Sequence, residues 1–273
     1  MDFKSYRPTA PLSTLIDNYW HCADAPPHSR ERILPSGTVE LVINLREDEV
    51  RIYSPEQPEC SRRFPGIVIS GPYARAFVID PSQHATMMGV HFRPGGAFAF
   101  FGATVGELTS THLALETLWG KSAIELRERL CAAASSQKRF EILEKVLRSR
   151  LQLMSEHSAV SLAIDIFGPT GGGESIRKVA EQVGLSQRRF IQVFTTQVGL
   201  TPKLYCRVLR FQHAREIADQ SATLNWSQLA LACNYCDQSH LIRDFHEFSG
   251  LSPTEYLTLR SDRLLQNHVP VLG

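Results

Sequence analysis

Two pairs of polar side chains carry the most specific chemistry in this sequence. Arg188 and Gln192 stand four residues apart, and Ser239 and Arg243 repeat that spacing further along. Residues four apart share one face of a helix. From such a face an arginine can bond O6 and N7 of guanine together, and a glutamine can do the same to N6 and N7 of adenine. Three other clusters compete for attention. Cys233-Asn-Tyr-Cys236, followed by His240 and His246, holds residue types that zinc uses. Those two histidines are about 240° apart around a helix, so they diverge, and buried thiols within a turn are the plainer expectation. Gly168-Pro-Thr-Gly-Gly-Gly173 is a near miss to a phosphate-cradling loop. That loop needs a lysine where Glu174 stands, and a carboxylate there repels phosphate, so a flexible linker is expected. Finally, Glu40, His84, His91 and Arg93 could line the mouth of a barrel. Without a tight H-x-H pair a metal is not expected, while Arg93 gripping an anionic effector competes with a structural arginine bonded to carbonyls.

The elements that must position the first two pairs form a duplicated unit. Phe194, Gly199, Leu200, Thr201, Pro202 and Tyr205 recur as Phe245, Gly250, Leu251, Ser252, Pro253 and Tyr256, at an offset of 51 (245 − 194). Each copy follows a short helical pattern and a tight turn, which is the pattern of a helix-turn-helix. In the first unit Ser175 can cap a helix carrying Ile176, Val179, Ala180 and Val183 on one side. Gly184 suits a left-handed turn, and Ser186 caps a second helix with Phe190, Val193 and Phe194 inward. In the second unit Leu229 and Ala230 repeat the first helix, and Asp237 caps the second, with Leu241, Phe245 and Phe248 inward. The DNA-facing set is therefore Gln187, Arg188, Ile191, Gln192 and Thr195, with Gln238, Ser239, His240 and Arg243 on the second helix; Asp244 beside them should repel phosphate. Between the units Pro202 opens a helix through Asp219. Its length, roughly 27 Å at ~1.5 Å per residue, could hold two reading helices about one DNA turn apart.

The stretch from about Ser175 to Tyr256 resembles the DNA-binding domain of the AraC family of bacterial transcription regulators. Ala180-Glu-Gln-Val-Gly184-Leu-Ser186, Phe190, Phe194, Gly199 and Pro202 carry the first half of that resemblance; Ala230, Tyr235, Ser239-His240, Arg243, Phe245, Gly250, Pro253 and Tyr256 carry the second. Asn234 stands where the family usually has glycine, and asparagine tolerates the left-handed conformation next best. Thr195 and His246 stand where the family often has Lys or Arg, which removes some phosphate contacts. The first half resembles, less sharply, the N-terminal domain of one AraC-like subgroup, through Leu34-Pro35-Ser-Gly37, Glu40-Leu41-Val-Ile-Asn44 and Gly89-Val-His91-Phe92-Arg93-Pro94-Gly95-Gly96-Ala97. That resemblance implies a sensory or dimerising role and names no ligand.

Composition sets the frame. The 273 residues suit two domains, and 43% apolar with 21% charged residues suit a soluble globular chain. Neither a secretory leader nor an 18-residue apolar run is visible, and six scattered cysteines favour reduced thiols in a cytosol. The net charge is only +1, so charge alone would not suggest DNA.

In chain order, residues 1–30 read as an arm with a short helix at Leu12, Leu15, Ile16 and Tyr19-Trp20. Strands are expected at 39–45, 51–53, 66–69, 76–79 and 87–92. Helices are expected at 111–119, 123–134 and 140–154, and the last ten residues read as a frayed end.

The expected architecture is α+β: a β-barrel or sandwich-like domain with appended helices (1–167), a glycine-rich linker (168–173), an all-α domain of two helix-turn-helix units joined by a long helix (174–262), and a tail (263–273). The expected function is sequence-specific DNA binding in transcription regulation, with no enzymatic activity, no cofactor and no metal. Operator DNA and a second copy of the chain are the expected partners, with a small-molecule effector at Glu40, His91 and Arg93 and RNA polymerase as possible ones. The expected place is the cytoplasm, on the nucleoid, with no membrane contact. A barrel-type enzyme fused to a DNA-targeting domain, and a constitutive regulator whose first domain only dimerises, stay open as alternatives.

Overall fold

Strands buried on both faces organise the N-terminal lobe. Leu41 and Ile43 of β4 (Glu40–Asn44), Ile67 and Ile69 of β7 (Ile67–Ser70), and Met88 and Val90 of β9 (Thr86–Phe92) point one way, into a core shared with helices. Val42, Val68 and Met87 alternate to the other face and meet a second sheet. The computed structural model describes residues 2–23, 30–55, 57–80, 86–151, 158–221, 224–259 and 267–271. The other strands are β1 (Asp2–Tyr6), β2 (Ile16–Ala23), β3 (Glu31–Ile33), β5 (Glu49–Ser54), β6 (Gln57–Pro65), β8 (Phe77–Ile79), β10 (His112–Ala114) and β11 (His268–Pro270). They make a six-stranded sheet in the order β1-β2-β9-β4-β7-β10 and a five-stranded sheet in the order β11-β3-β8-β5-β6, with antiparallel pairing. The two open sheets form a sandwich rather than a closed barrel.

Four helices cover the outer face of the larger sheet: α1 (Phe98–Phe101), α2 (Glu116–Trp119), α3 (Lys121–Ala132) and α4 (Ser136–Arg150). Phe140, Leu143 and Leu147 form the buried stripe of α4, and Phe140 stacks with Tyr6 and Tyr19 of the sheet. These helices therefore cover their own sheet. The helix expected at 111–119 is instead strand β10 followed by the single turn of α2. The helix expected near Tyr19 is a 3-10 turn at Leu12–Thr14 and then β2, because residues 16–23 are taken up by pairing with β9. The expected end of α4 at Met154, the prolines at 26–27 and His84 lie outside the described residues.

The helical lobe comprises α5 (Ser158–Phe167), α6 (Ile176–Gln182), α7 (Gln187–Val198), α8 (Pro202–Gln220), α9 (Trp226–Ala232), α10 (Gln238–Ser249) and α11 (Pro253–Leu259). Val160, Ala163 and Phe167 of α5 belong to its core; the Phe167 ring lies 6.0 Å from Phe194 and 6.4 Å from Phe190 and Tyr205. Residues up to 167 were expected to belong to the first domain, with no helix expected at 158–167. The glycine stretch after it is a set of tight turns rather than a flexible tether: Arg210 donates to the carbonyl of Gly172 (3.2 Å), and the Asn234 amide donates to that of Thr170 (2.9 Å). Nor is the expected tail frayed throughout. Val269 is fully buried and β11 extends the smaller sheet beside β3.

The lobes meet at matching points of the duplicated unit. Gly199, which ends α7 at φ +82°, lies against Pro72 and the carbonyl of Val105 so closely that a Cβ would collide; Thr109 Oγ1 donates to its carbonyl. At the second unit the backbone N–H of Ala76 donates to the carbonyl of Phe248 (2.8 Å), and Arg32 approaches Gly250, the repeat of Gly199. Between the two, Gln212 of α8 donates to the carbonyl of Pro35.

Candidate nucleic-acid interface

Each helix-turn-helix is built by local chemistry. Gly184 at φ +73° turns α6 into α7, and Asn234 at φ +59° does the same between α9 and α10, as its tolerance of that conformation allows. The Ser186 hydroxyl accepts from the N–H of Arg189 (3.3 Å), and the Asp237 carboxylate accepts from that of His240 (2.7 Å). Ser175 occupies the cap position of α6, but its side chain makes no capping bond. Phe190, Phe194, Leu241, Phe245 and Phe248 are all fully buried, with Val193 nearly so. These inner stripes orient the opposite faces outward.

On α7 the side chains of Gln187, Arg188, Ile191 and Gln192 are exposed together. Arg189 joins them and donates to the Gln192 amide oxygen (3.0 Å). Its place next to Arg188 was visible in the sequence, but only a turn-by-turn placement brings it round to Gln192. Thr195 is half-buried, its hydroxyl donates to the carbonyl of Ile191 (2.7 Å), and the 3-10 segment Gly102–Glu107 packs on the backbone at Thr195–Thr196. Thr195 therefore stands at the edge of the exposed face. Two arginines and no carboxylate lie along α7.

On α10 Ser239, Arg243 and His246 are exposed, and Gln238 and His240 half-exposed. Gln238 accepts from the Ser227 hydroxyl (2.9 Å), bonding α10 to the first helix of its unit. His240 lies edge-on to Tyr235. Asp244 is not on this face. It is 1% exposed and accepts from Arg207 of α8 (2.6 Å), which also holds Glu247 (2.6 Å). The guanidinium keeps the Glu247 carboxyl below the usual carboxylate range. The expected repulsion of phosphate by Asp244 is thus removed by a buried ion pair with α8.

The remaining candidates separate. Glu40 and His91 face each other across β4 and β9, with Glu40 Oε1 accepting from Trp20 Nε1 (2.7 Å) and lying 4.0 Å from His91 Nδ1. Arg93 is not with them; it donates to the carbonyl of Ser13 (3.0 Å) beyond the strand end. Cys233 is buried, which pushes its thiol up to about 11, whereas Cys236, in the same turn, is exposed rather than buried. Among the described residues no group of three His, Cys, Asp or Glu side chains is placed to hold a metal ion. None of their helices is long and apolar enough to cross a membrane.

Comparison with known proteins meets this geometry at residues 179–258, which match the model of a helix-turn-helix domain. Residues 179–258 are an AraC-type helix-turn-helix domain. Residues 4–114 match a domain of unknown function, DUF6597. The chain is similar to the probable transcriptional regulator LumQ of Photobacterium leiognathi, with 29% identity over 49% of this chain and 56% of that protein. It is similar to the HTH-type transcriptional activator RhaR of Enterobacter sp., with 32% identity over 30% of this chain and 28% of that one. The matches thus span about half the length of one relative and about a quarter of the other. Among solved structures, a ToxT variant from Vibrio cholerae aligns with 88% of this chain and 97% of its own, at 8% identity and a TM-score of 0.45. Helix α5, which precedes the matched residues, is part of this domain's core, and the domain is bonded to the sandwich at both of its units.

Proposed function

We propose that this chain is a transcription regulator that binds specific DNA through its AraC-type domain and answers to a small molecule through its N-terminal lobe. The observation that carries the reading is the paired exposure of α7 and α10: the same duplicated stripe of buried aromatics turns Arg188 and Gln192 outward on one helix and Ser239 and Arg243 on the other. An exposed arginine four residues from an exposed polar side chain is what base-edge readout in the major groove requires. Gln187, Ile191, Thr195, Gln238 and His240 complete the surface, with Ile191 suited to a thymine methyl group. In this reading the protein acts by binding and not by covalent chemistry, works in the cytoplasm as a dimer, and meets RNA polymerase at the promoter. The effector acts by favouring one arrangement of the two lobes, through differential affinity for it. Of the three expected effector residues, Arg93 at the lobe boundary is the effector residue of this proposal; Glu40 and His91 lie apart from it, on the sheet face toward the second sheet.

Selection of bound sites from random DNA, followed by footprinting, tests it. Two protected base clusters about one helical turn, roughly 10 base pairs, apart are expected for each copy of the chain. Retention of no enriched sequence would sink the reading.

A further inference from the structure

At one matched position the two units differ in kind. Phe248 is fully buried in the core of the second unit, and its repeat in the first, 51 residues earlier, is Gln197. Gln197 is only 6% exposed, and its amide oxygen has no hydrogen-bond partner. A buried amide without a partner is costly, so its retention at a core position asks for a reason. The side chain borders a cleft of about 380 Å³ where the lobes meet, lined also by Ser13, Arg93, Val160, Ile164 and Asp165. Arg93 is half-exposed there, held by the carbonyl of Ser13 and lying 3.7 Å from Asp17. The volume falls in the ordinary range of small-molecule sites.

We propose that this cleft is the effector site, and that it takes a small organic acid carrying an adjacent amine or hydroxyl on a short apolar stem. The inference rests on the regulator reading above. The acid group belongs on the Arg93 guanidinium, which can bind a carboxylate bidentately. The amine or hydroxyl supplies the donor that the Gln197 oxygen lacks, with Asp165 as a second acceptor. The apolar stem lies on Val160 and Ile164. A ligand seated here touches the sandwich through Arg93 and Ser13, the core helix α5, and the reading helix α7 two residues beyond Thr195. It therefore stabilises one relation of α7 to the N-terminal lobe, and its effect on DNA affinity must equal the effect of DNA on its own affinity.

Isothermal titration of the full chain tests this with four probes: L-leucine, 2-hydroxy-4-methylvalerate, and the two truncated compounds 4-methylvalerate and 3-methylbutylamine. Leucine or the hydroxy acid is expected to bind at least ~10-fold tighter than either truncated probe. Arg93→Ala and Gln197→Leu should each weaken that binding ~10-fold or more, with partial recovery in Arg93→Lys. Melting curves and affinity for the selected DNA show that each variant is folded. Failure of both leucine and the hydroxy acid to bind, or binding unmoved by both variants, would overturn the assignment. A chain that binds its selected DNA but neither acid loses the cleft and keeps the regulator reading. One that binds the acids and enriches no DNA keeps the cleft and loses that reading.

Discussion

Arg188 lies on the exposed face of α7 with no ion pair among the described residues. In the proposed DNA complex that guanidinium either reads bases or holds a phosphate, and the two roles leave different marks. As a base reader, Arg188→Ala should cost ~1–3 kcal/mol on the preferred site and less on random DNA, and should relax preference at one cluster of bases only. Arg243→Ala should do the same at the other cluster. Competition binding with site variants measures both, and equal weakening on every sequence would make Arg188 a phosphate contact. A second residue speaks about stability. His112 is buried between the sheets, bonded to Tyr73 and to Ser70 (3.3 Å) and packed against Phe77 and Phe64. Burial lowers its pKa to about 3. A histidine depressed in the folded state binds its proton in the unfolded state first, so stability should be flat above about pH 6.5 and fall as pH drops below it. Between pH 7 and pH 5 the loss should approach ~2 kcal/mol. Urea unfolding of the parent and of His112→Phe should show that the variant lacks this part of the pH dependence.

Helices α8 and α10 are joined by charge as well as by aromatic packing. Arg207 reaches from α8 to Asp244 and Glu247, and its guanidinium lies over the Phe248 ring (4.9 Å). Arg207→Ala would strand a carboxylate that is 1% exposed, so a loss of ~3 kcal/mol is expected. The double change Arg207→Met with Asp244→Leu should recover most of it, because no buried charge is then left without its partner. Phe194→Ala and Phe245→Ala should each cost ~3–5 kcal/mol in the same denaturation experiment. Elements of this kind were legible beforehand because their causes are local. The caps at Ser186 and Asp237, the turns at Gly184 and Asn234 and the stripes three and four apart all sit within a dozen residues of what they control. Illegible elements depended on distant partners. Leu12, Leu15 and Ile16 have helical spacing, but β2 forms because β9 pairs with it, and a register shift between Ile16 and Asn18 interrupts the alternation that would have announced a strand. Strands β3, β10 and β11 are three residues each, too short for any period to show. The exposed face proposed to read DNA followed the same rule. Its spacing was plain, whereas the removal of Asp244 required Arg207, 37 residues away, and the half-burial of Thr195 required a segment of the other lobe.

For the whole molecule, the boundary between lobes governs what can be separated. Phe167 of α5 is fully buried against Phe190, Phe194 and Tyr205, so a fragment of residues 158–262 should be more stable than one of residues 174–262, by at least about 3 kcal/mol. Thermal melting of the two fragments checks this; equal melting would show that α5 adds nothing to the AraC-type domain. The modest charge of the full chain has its own consequence. With net charge +1, and with Thr195 and His246 at the ends of the reading faces, about four to six phosphate contacts per copy are expected. Log affinity should then fall with log salt at a slope near −4 to −5, and a slope beyond about −8 would reveal a basic surface elsewhere. The pairing of β11 with β3 reaches further. Glu31 and His268 meet at 2.6 Å across 237 residues of chain. During synthesis β3 emerges first, and its outer edge waits while the rest of both lobes is made. The smaller sheet is completed only by a strand translated after the entire DNA-binding region. A nascent chain therefore carries an unfilled sheet edge for most of its time on the ribosome, until β11 is made.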